Sequence, residues 1–392
     1  MSAPLNRRQW LISTGLAAGS TVLIPKMLPA LGAARKPDGT GNYQDRLLEM
    51  EASATEARRA AGPIRLASNE NPFGMSPKAK DGIMSGWFEH SQYGLQSNDT
   101  LKRAFARHVG VDPSNILITQ GSSETLSVAA LAFGLHGQEV VAPWPTFEGL
   151  PRYAETMGAT VHKVQLTADL GHDFAAMDTR ITNAVGLVFV CNPNNPTSTI
   201  SDAQQIRSFV SATQHRALVV VDEAYHDFVD TPGHRSMTDL VLKGENIIVS
   251  RTASKIHGLA GLRIGFAIAR PDIVARLEER MTGTPNAFGM QAAIASLEDT
   301  SYQEFVKLRN REGRALLTSA LTAMGKRVAP SQTNFVFFKA GVPNDQFRAA
   351  MREKGFLTGR NFPPFMDWAR VSIGTPDEMK AFVAALPAAL RV

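Results

Sequence analysis

Cysteine is almost missing from this chain of 392 residues, in which Cys191 stands alone. A single cysteine excludes an intrachain disulfide and any set of cysteine ligands for zinc. No cluster among the nine histidines suggests a set of metal ligands, so we expect no metal site. Long basic runs are also missing, although the net charge is +5. Because charges of both signs are interspersed, we expect a solvated surface and no nucleic-acid partner.

The N-terminal segment, residues 1–33, differs from the rest of the chain. Asn6-Arg7-Arg8-Gln9-Trp10-Leu11 precedes a mostly uncharged apolar stretch over 11–24, and small residues follow around 30–34. This order resembles a twin-arginine export signal, which usually has Ser or Thr before the pair and Phe in place of Trp10. We therefore expect transient contact with the twin-arginine export machinery and a periplasmic protein, with the cytoplasm as the alternative. A membrane anchor is less favoured because the apolar stretch is short and contains two glycines.

Beyond this segment, apolar runs alternate with segments of helical periodicity. The predicted strands are 115–119, 139–142, 185–190, 217–221, 246–250, 264–268, 334–338 and 369–373, and the predicted helices include 123–135, 147–157 and 202–212. This alternation indicates an α/β fold with a mostly parallel sheet covered by helices on both faces. We expect a large domain over 91–290, a smaller α+β part at 291–392, and an arm with part of the small domain at 34–90.

Polar residues follow four of these runs, at the ends where open α/β sheets bind ligands. They are Gly121-Ser-Ser-Glu124, Asn192-Pro-Asn-Asn-Pro-Thr197, Asp222-Glu-Ala-Tyr225 and Ser254-Lys255. A lysine in such a turn can lose solvation and become a nucleophile toward an aldehyde. Each motif alone could be turn chemistry, and most lysines lie at the surface. Together with a buried acid and donors suited to a phosphate, Lys255 predicts pyridoxal-phosphate chemistry.

The cofactor phosphate requires donors at a helix N-terminus and a cation. Gly121, Ser122 and Ser123 can supply backbone and hydroxyl donors, although both serines could be helix caps alone. Arg263 offers a guanidinium and Thr252 a hydroxyl. Arg263 could instead be a surface ion-pair partner, but the apolar runs around it predict that it is not exposed.

The cofactor ring requires an acid and hydrogen-bond donors at its edge. Asp222 ends an aliphatic run, and its buried charge would be costly without a cation such as the protonated pyridine nitrogen. Asn195 and Tyr225 can reach the ring's 3-oxygen, and Phe147 can cover one face of the ring. A capping aspartate and a core phenylalanine are the simpler interpretations of Asp222 and Phe147.

These motifs resemble those of the fold-type I pyridoxal-phosphate aminotransferases of class I/II, and most closely the histidinol-phosphate aminotransferase branch. The resemblance covers residue 63 to near the C-terminus. The further matching pieces are Ser68-Asn-Glu-Asn-Pro72, Gln92-Tyr93, Val111-Asp-Pro-Ser-Asn-Ile116, Gly258-Leu-Ala-Gly-Leu-Arg263, Thr333-Asn-Phe-Val336 and Arg370-Val-Ser-Ile-Gly-Thr375.

The resemblance implies roles for residues that spacing alone does not assign. Lys255 would bind the cofactor covalently and then move a proton between the substrate carbon and the cofactor. Tyr93 would reach the cofactor phosphate of the neighbouring subunit, which implies a homodimer. Arg370 would bind the substrate carboxylate, with Asn69 also on the substrate side and Arg360 as a second arginine for anions.

The departures from the family pattern lie mainly on the substrate side. Gly94 follows Tyr93 where proline is usual, Ser123 stands where Asp is frequent, and Ile256-His257 replaces a small or aromatic pair. We expect transfer of an amino group between an amino donor and a 2-oxo acid. The donor would be an amino acid, or the amino-acid part of a larger periplasmic metabolite such as a maturing siderophore. The alternatives are a cytoplasmic-type histidinol-phosphate aminotransferase, a decarboxylase of the phosphothreonine type and a binding protein without catalysis.

Overall fold

The computed structural model describes residues 42–135 and 138–390. The expected export signal at 1–33 lies outside the described residues. Apart from the first residue of the first helix, all the elements given below belong to one compact unit, Gln44–Val392. The expected division near residues 90 and 290 therefore stays a prediction. In the described ranges, no helix is both long and apolar enough to cross a membrane.

A seven-stranded sheet forms the centre of the protein. Its strands occur in the order β2-β8-β7-β6-β5-β3-β4, and β8 runs opposite to both of its neighbours while the other pairs are parallel. This mostly parallel sheet confirms the predicted α/β class. The strands are β2 Ile116–Thr119, β3 Glu139–Trp144, β4 Thr160–Gln165, β5 Val185–Cys191, β6 Leu218–Asp222, β7 Ile247–Thr252 and β8 Gly265–Ala269.

The aliphatic runs form central strands because both faces of the sheet are covered. In β6, Val219 and Val221 pack into one hydrophobic cluster, whereas Leu218 and Val220 pack into the cluster on the other face. Successive side chains of a strand point to opposite faces, so a strand buried on both sides needs an apolar residue at every position. The helices that cover the sheet and complete the fold are Tyr43–Ala60, Pro77–Ser85, Leu95–Val109, Ser122–Phe133, Gly149–Thr156, Phe174–Asp178, Ala203–Thr213, Thr238–Leu242, Pro271–Glu278, Ala287–Leu297, Thr300–Ala323, Asn344–Glu353 and Pro376–Leu390.

Two small sheets lie outside the central one. An antiparallel pair joins β9 (Phe335–Lys339) to β11 (Trp368–Ser372), as the two C-terminal runs predicted to within one residue. A parallel pair joins β1 (Ile64–Leu66) to β10 (Phe356–Thr358) and brings the N-terminal part of the described chain against the C-terminal part.

The strand register aligns the predicted polar residues at one edge of the sheet. Cys191, the last residue of β5, pairs with Asp222, and Asp222 pairs with Ser250 in β7. The segments that follow these three strands therefore begin side by side. Parallel strands thus place the loops that carry Asn195, Tyr225 and Lys255 at one end of the sheet.

Candidate active site

A cleft of about 620 Å³ opens at this end of the sheet. Its volume is in the range usual for small-molecule sites. Every site residue that the sequence predicted lines it except Gly121 and Tyr93. The predicted residues that line it are Asn69, Ser122, Ser123, Phe147, Asn195, Asp222, Tyr225, Thr252, Lys255, Arg263, Arg360 and Arg370.

Lys255 extends from the loop after β7 into the cleft. Its Nζ donates to the backbone oxygen of Asn69 at 3.1 Å and lies 5.5 Å from the centre of the Tyr225 ring. Burial, and then the positive charge of Arg370, lower the pKa of the Lys255 amine to about 8. A lysine with a lowered pKa is partly neutral near physiological pH, as a nucleophilic amine must be.

Asp222 is 2% exposed at the end of β6. The backbone N–H of Ala224 donates to its carboxylate at 3.3 Å, and no basic side chain of the described residues forms a salt bridge with it. Burial raises the pKa of Asp222 to about 7. A buried carboxylate of this kind is stabilised by a cationic N–H donor, which a protonated pyridine nitrogen provides.

Tyr225 and Asn195 lie next to each other above this acid. Asn69 Nδ2 donates to the Tyr225 hydroxyl oxygen at 3.0 Å, and Asn195 Nδ2 approaches the same oxygen at 3.5 Å. Burial raises the pKa of Tyr225, so its hydroxyl remains a hydrogen-bond donor at neutral pH. Asn69 also receives a hydrogen bond from the Ser372 hydroxyl at 3.0 Å, so it links β11 to the centre of the cleft.

The start of the helix Ser122–Phe133 forms a cradle with Arg263. Gly121 precedes the helix with a φ of 82°, and no side-chain hydrogen bond caps the helix in the described part of the chain. A Cβ on Gly121 would lie 2.2 Å from Arg263 Nη2, so the guanidinium can approach this backbone only because residue 121 is glycine. Free N–H groups at a helix start beside a guanidinium are suited to a phosphate.

The position of Arg263 differs from the expectation. Its side chain is exposed, whereas the flanking apolar runs predicted that it would not be. Arg263 has a left-handed backbone with a φ of 54°, which directs the residue out of the turn between β7 and β8. Its Nη1 donates to the Ala260 carbonyl at 2.9 Å and lies 3.5 Å from the Ser254 hydroxyl, which itself receives a hydrogen bond from Thr252 at 2.9 Å.

Phe147 is half-buried in the cleft wall just before the helix Gly149–Thr156. A Cβ on Gly149 would lie 2.6 Å from its ring, so glycine leaves room for this orientation. An aromatic face in the cleft that contains Lys255 and Asp222 is suited to stacking on a planar ring.

Arg370 is 9% exposed on β11 and its guanidinium is only partly satisfied. It donates to Asn195 Oδ1 and to the Ala67 carbonyl, both at 2.6 Å, while its Nε has no partner in the described residues. Burial lowers the pKa of Arg370 to about 10, which leaves it charged at neutral pH. A buried cation with a spare donor is suited to a carboxylate that binds in the cleft.

Several residues that line the cleft were not predicted from the sequence. Glu148 forms an ion pair with Arg360 at 2.9 Å, and Arg152, Tyr153 and Phe362 complete the same wall. The one sequence signal available for Glu148 was its position directly after Phe147, the aromatic residue of the preceding turn. Its partner is more than 200 positions away in the chain, so no local pattern reveals the contact.

Tyr93 and His257 lie outside the cleft. Tyr93 is 87% exposed, so the single chain does not bring it to the other site residues. His257 is 6% exposed and its Nδ1 lies 2.8 Å from the Ser296 hydroxyl. Burial lowers the pKa of His257 to about 4, which describes a packed, neutral histidine behind the reactive lysine.

Comparisons with known proteins agree with this geometry. The family model for aminotransferase class I and II matches residues 61–386. The chain is 36% identical to histidinol-phosphate aminotransferase 1 of Cupriavidus pinatubonensis, over 84% of this chain and 89% of that protein. It is 37% identical to the aromatic amino acid aminotransferase of Rhodococcus jostii, over 86% and 93% of the two chains.

A solved structure gives the same result. The histidinol-phosphate aminotransferase of Sinorhizobium meliloti, in complex with pyridoxal-5'-phosphate, superimposes with a TM-score of 0.79 at 26% identity, covering 87% of this chain and 94% of that one. The fold and the cleft define a fold-type I pyridoxal-phosphate enzyme. The chain belongs to the class I and II aminotransferases.

Pyridoxal 5'-phosphate is therefore the cofactor, and the residues of the cleft fit it. Asp222 would supply a buried acid for the ring nitrogen, the cradle of Gly121 and Arg263 would suit the phosphate, and Lys255 would supply the amine. When bound, the cofactor acts as an electron sink for the substrate carbon. The individual contacts of the site residues with it stay predictions.

Substituting Gly121→Ala should weaken binding of the cofactor because the new Cβ displaces Arg263. We expect at least a tenfold higher Kd for pyridoxal 5'-phosphate in reconstitution of the apoprotein, the equivalent of about 1.4 kcal/mol. Gly110→Ala is the matched control, since Gly110 also has a positive φ, 75°, but nothing lies near its would-be Cβ. Equal losses of cofactor affinity in both variants would show that backbone strain alone causes the effect.

The lowered pKa of Lys255 predicts how reconstitution depends on pH. Only the neutral amine attacks an aldehyde, so the rate of cofactor incorporation should rise with pH through a midpoint near 8. In Arg370→Leu the midpoint should move to higher pH, because a positive charge that disfavours protonation of Lys255 is removed. Stopped-flow absorbance measures the rates, and a wild-type midpoint near that of an ordinary lysine would contradict the assignment.

Proposed function

We propose that this enzyme transfers an amino group between a 2-oxo acid and an amino acid, free or as part of a larger periplasmic metabolite. The observation that carries the proposal is Arg370, a buried guanidinium with a spare donor in the cleft that contains Lys255. A substrate carboxylate bound to it would hold the α-carbon over the lysine. Both partners of a transamination carry that carboxylate, so one arginine serves both half-reactions.

Each side chain of the cleft has a role in the reaction that suits its charge. Lys255 moves a proton to and from the substrate α-carbon, for which its lowered pKa suits it. Asp222 would hold the proton of the ring nitrogen, and Tyr225 and Asn195, which lie 3.5 Å apart, would donate to the ring's edge. Arg370 orients the substrate by its carboxylate.

The second candidate function is transfer of an amino group to the oxo precursor of histidinol phosphate. The similarity to histidinol-phosphate aminotransferases supports it, as does the presence of a second arginine, Arg360, in the cleft. That Arg360 is already paired with Glu148 favours the first candidate, since a phosphate dianion would have to separate the pair.

A single-turnover assay separates these candidates. Purified holoenzyme given an L-amino acid and no acceptor should release one equivalent of 2-oxo acid, and Lys255→Ala should release none. Arg370→Lys should raise KM for amino acids about 100-fold, because lysine cannot make the bidentate contact. Arg348→Lys, a change in an exposed ion pair, is the control. Release of carbon dioxide would indicate a decarboxylase, and turnover of histidinol phosphate alone would support the second candidate.

The exposed surface around Tyr93 supports a homodimer as the working unit. Tyr93, Phe88 and Leu95 are each at least 70% exposed, and Trp87 is 46% exposed. An apolar patch of this kind marks an interaction site, and a second copy would bring Tyr93 to its cofactor phosphate.

The twin arginines support export to the periplasm as a folded holoenzyme. Replacing Arg7 and Arg8 by lysine should retain the protein in the cytoplasm, while the wild type should be in the periplasmic fraction. Immunoblots of cell fractions, with the N-terminal residue of the mature protein determined, measure this. Lys78→Arg, a surface change outside the signal, is the control. Wild-type protein that stays in the cytoplasm would reject export.

A further inference from the structure

An acid in the wall of the cleft neutralises one of the four arginines that line it. Glu148 lies between Phe147 and the helix Gly149–Thr156, and its Oε2 contacts Arg360 Nη2 at 2.9 Å. The Glu148 side chain is 29% exposed and that of Arg360 52% exposed, so the pair is open to solvent and to a ligand. Arg360 also donates from Nη1 to the Asn361 carbonyl at 2.9 Å.

Phe362 contacts two of these arginines, Arg360 and Arg370. Its ring is 4% exposed, and its centre lies 4.6 Å from the Arg360 guanidinium and 4.7 Å from that of Arg370. Cation–π contacts of this length are favourable at exposed sites and stronger where the cation is buried. Arg370 has no acidic partner among the described residues, whereas Arg360 has Glu148. The two cations are therefore held by one ring, and one of them is neutralised.

The helix after Glu148 contributes one face to this part of the cleft. Gly149, Arg152, Tyr153 and Thr156 line it, at the spacing of one side of an α-helix. The Tyr153 ring and the aliphatic part of the Arg152 side chain can contact an uncharged substrate side chain, while the Arg152 guanidinium adds a positive charge to this face. The cleft therefore offers apolar contacts beside the paired Arg360.

We propose that Glu148 determines side-chain specificity by acting as an internal counterion of Arg360, which a distal carboxylate or phosphate of the substrate must displace. This inference rests on the proposed function. Substrates with an aromatic or apolar side chain bind while the pair stays closed. Acidic substrates bind by taking the place of Glu148, so their affinity is reduced by the free energy of the pair.

A transaminase that follows a two-step exchange binds two different substrates in one site. Without Glu148, the charge of Arg360 would attract anionic side chains more strongly than uncharged ones. Glu148 reduces this bias and still permits an acidic amino donor. Because partly exposed pairs contribute up to about 1 kcal/mol, the expected bias against anions is about fivefold.

The test compares two acids that mimic substrates and bind to the holoenzyme without reacting. Succinate carries a distal carboxylate and 3-phenylpropanoate carries an aromatic ring, and calorimetry measures Kd for both. In Glu148→Gln we expect about fivefold tighter succinate binding and no more than a twofold change for 3-phenylpropanoate. In steady-state kinetics of Glu148→Gln, KM should fall for glutamate and stay nearly unchanged for phenylalanine.

Glu155→Gln is the matched control. Glu155 is on the same helix, pairs with Lys163 at 2.7 Å and does not line the cleft. This variant removes the same charge and should change neither Kd. In the double variant Glu148→Gln/Arg360→Gln, the gain in succinate affinity should disappear because Arg360 mediates it.

Three results would overturn the proposal. The first is an unchanged succinate Kd in Glu148→Gln, and the second is a gain in succinate affinity that persists without Arg360. The third is a loss of activity in Glu148→Gln that is confined to basic amino acids, which would make Glu148 a direct ligand of a substrate cation. Failure to transfer amino groups from any amino acid would reject the proposed function. The Kd values would still test Glu148, since they do not depend on turnover.

Discussion

The burial of the Asp222 carboxylate is the constraint around which the cleft is organised. Asp222 ends a strand whose other residues are all aliphatic, so its charge is surrounded by low-dielectric material on both faces of the sheet. Burial disfavours the ionised form strongly enough to raise the pKa of Asp222 to about 7. Near neutral pH the acid is therefore only partly ionised by itself, and a cationic partner favours its charged form; a protonated pyridine ring is the partner that this enzyme class supplies.

The order of the parallel strands places the other predicted site residues around Asp222. β5, β6 and β7 are neighbours, so the loops after them carry Asn195, Tyr225 and Lys255 to positions around Asp222. The phosphate cradle is brought close by the two remaining strands on that side, because β2 and β8 pair and carry Gly121 and Arg263. A Cβ on Gly265 would lie 2.4 Å from the Ser122 nitrogen, so the tight junction of these strands also requires glycine.

The sequence predicted the parts of the fold that depend on local patterns. Continuous aliphatic runs predicted the buried strands, and the polar turns after them predicted most of the residues that the structure brings together in the cleft. The edge strand β4 was missed, because only Val164 of its six residues is buried and the others are polar or half-exposed. The exposure of Arg263 and the pairing of Glu148 with Arg360 depend on how distant loops meet, which neither composition nor periodicity encodes.

The charges of the cleft explain why it can select anionic ligands without being uniformly basic. Five basic residues line it, and four of them differ in their state before a ligand arrives; the five are Lys255, Arg152, Arg263, Arg360 and Arg370. Lys255 is partly neutral, Arg360 is paired with Glu148, and Arg370 retains a spare donor while Arg263 rests on backbone carbonyls. Of these four, Arg370 is the buried arginine that keeps an unpartnered donor, in the same cleft as Lys255. Masking Arg360 directs the substrate carboxylate to the arginine at which chemistry can follow.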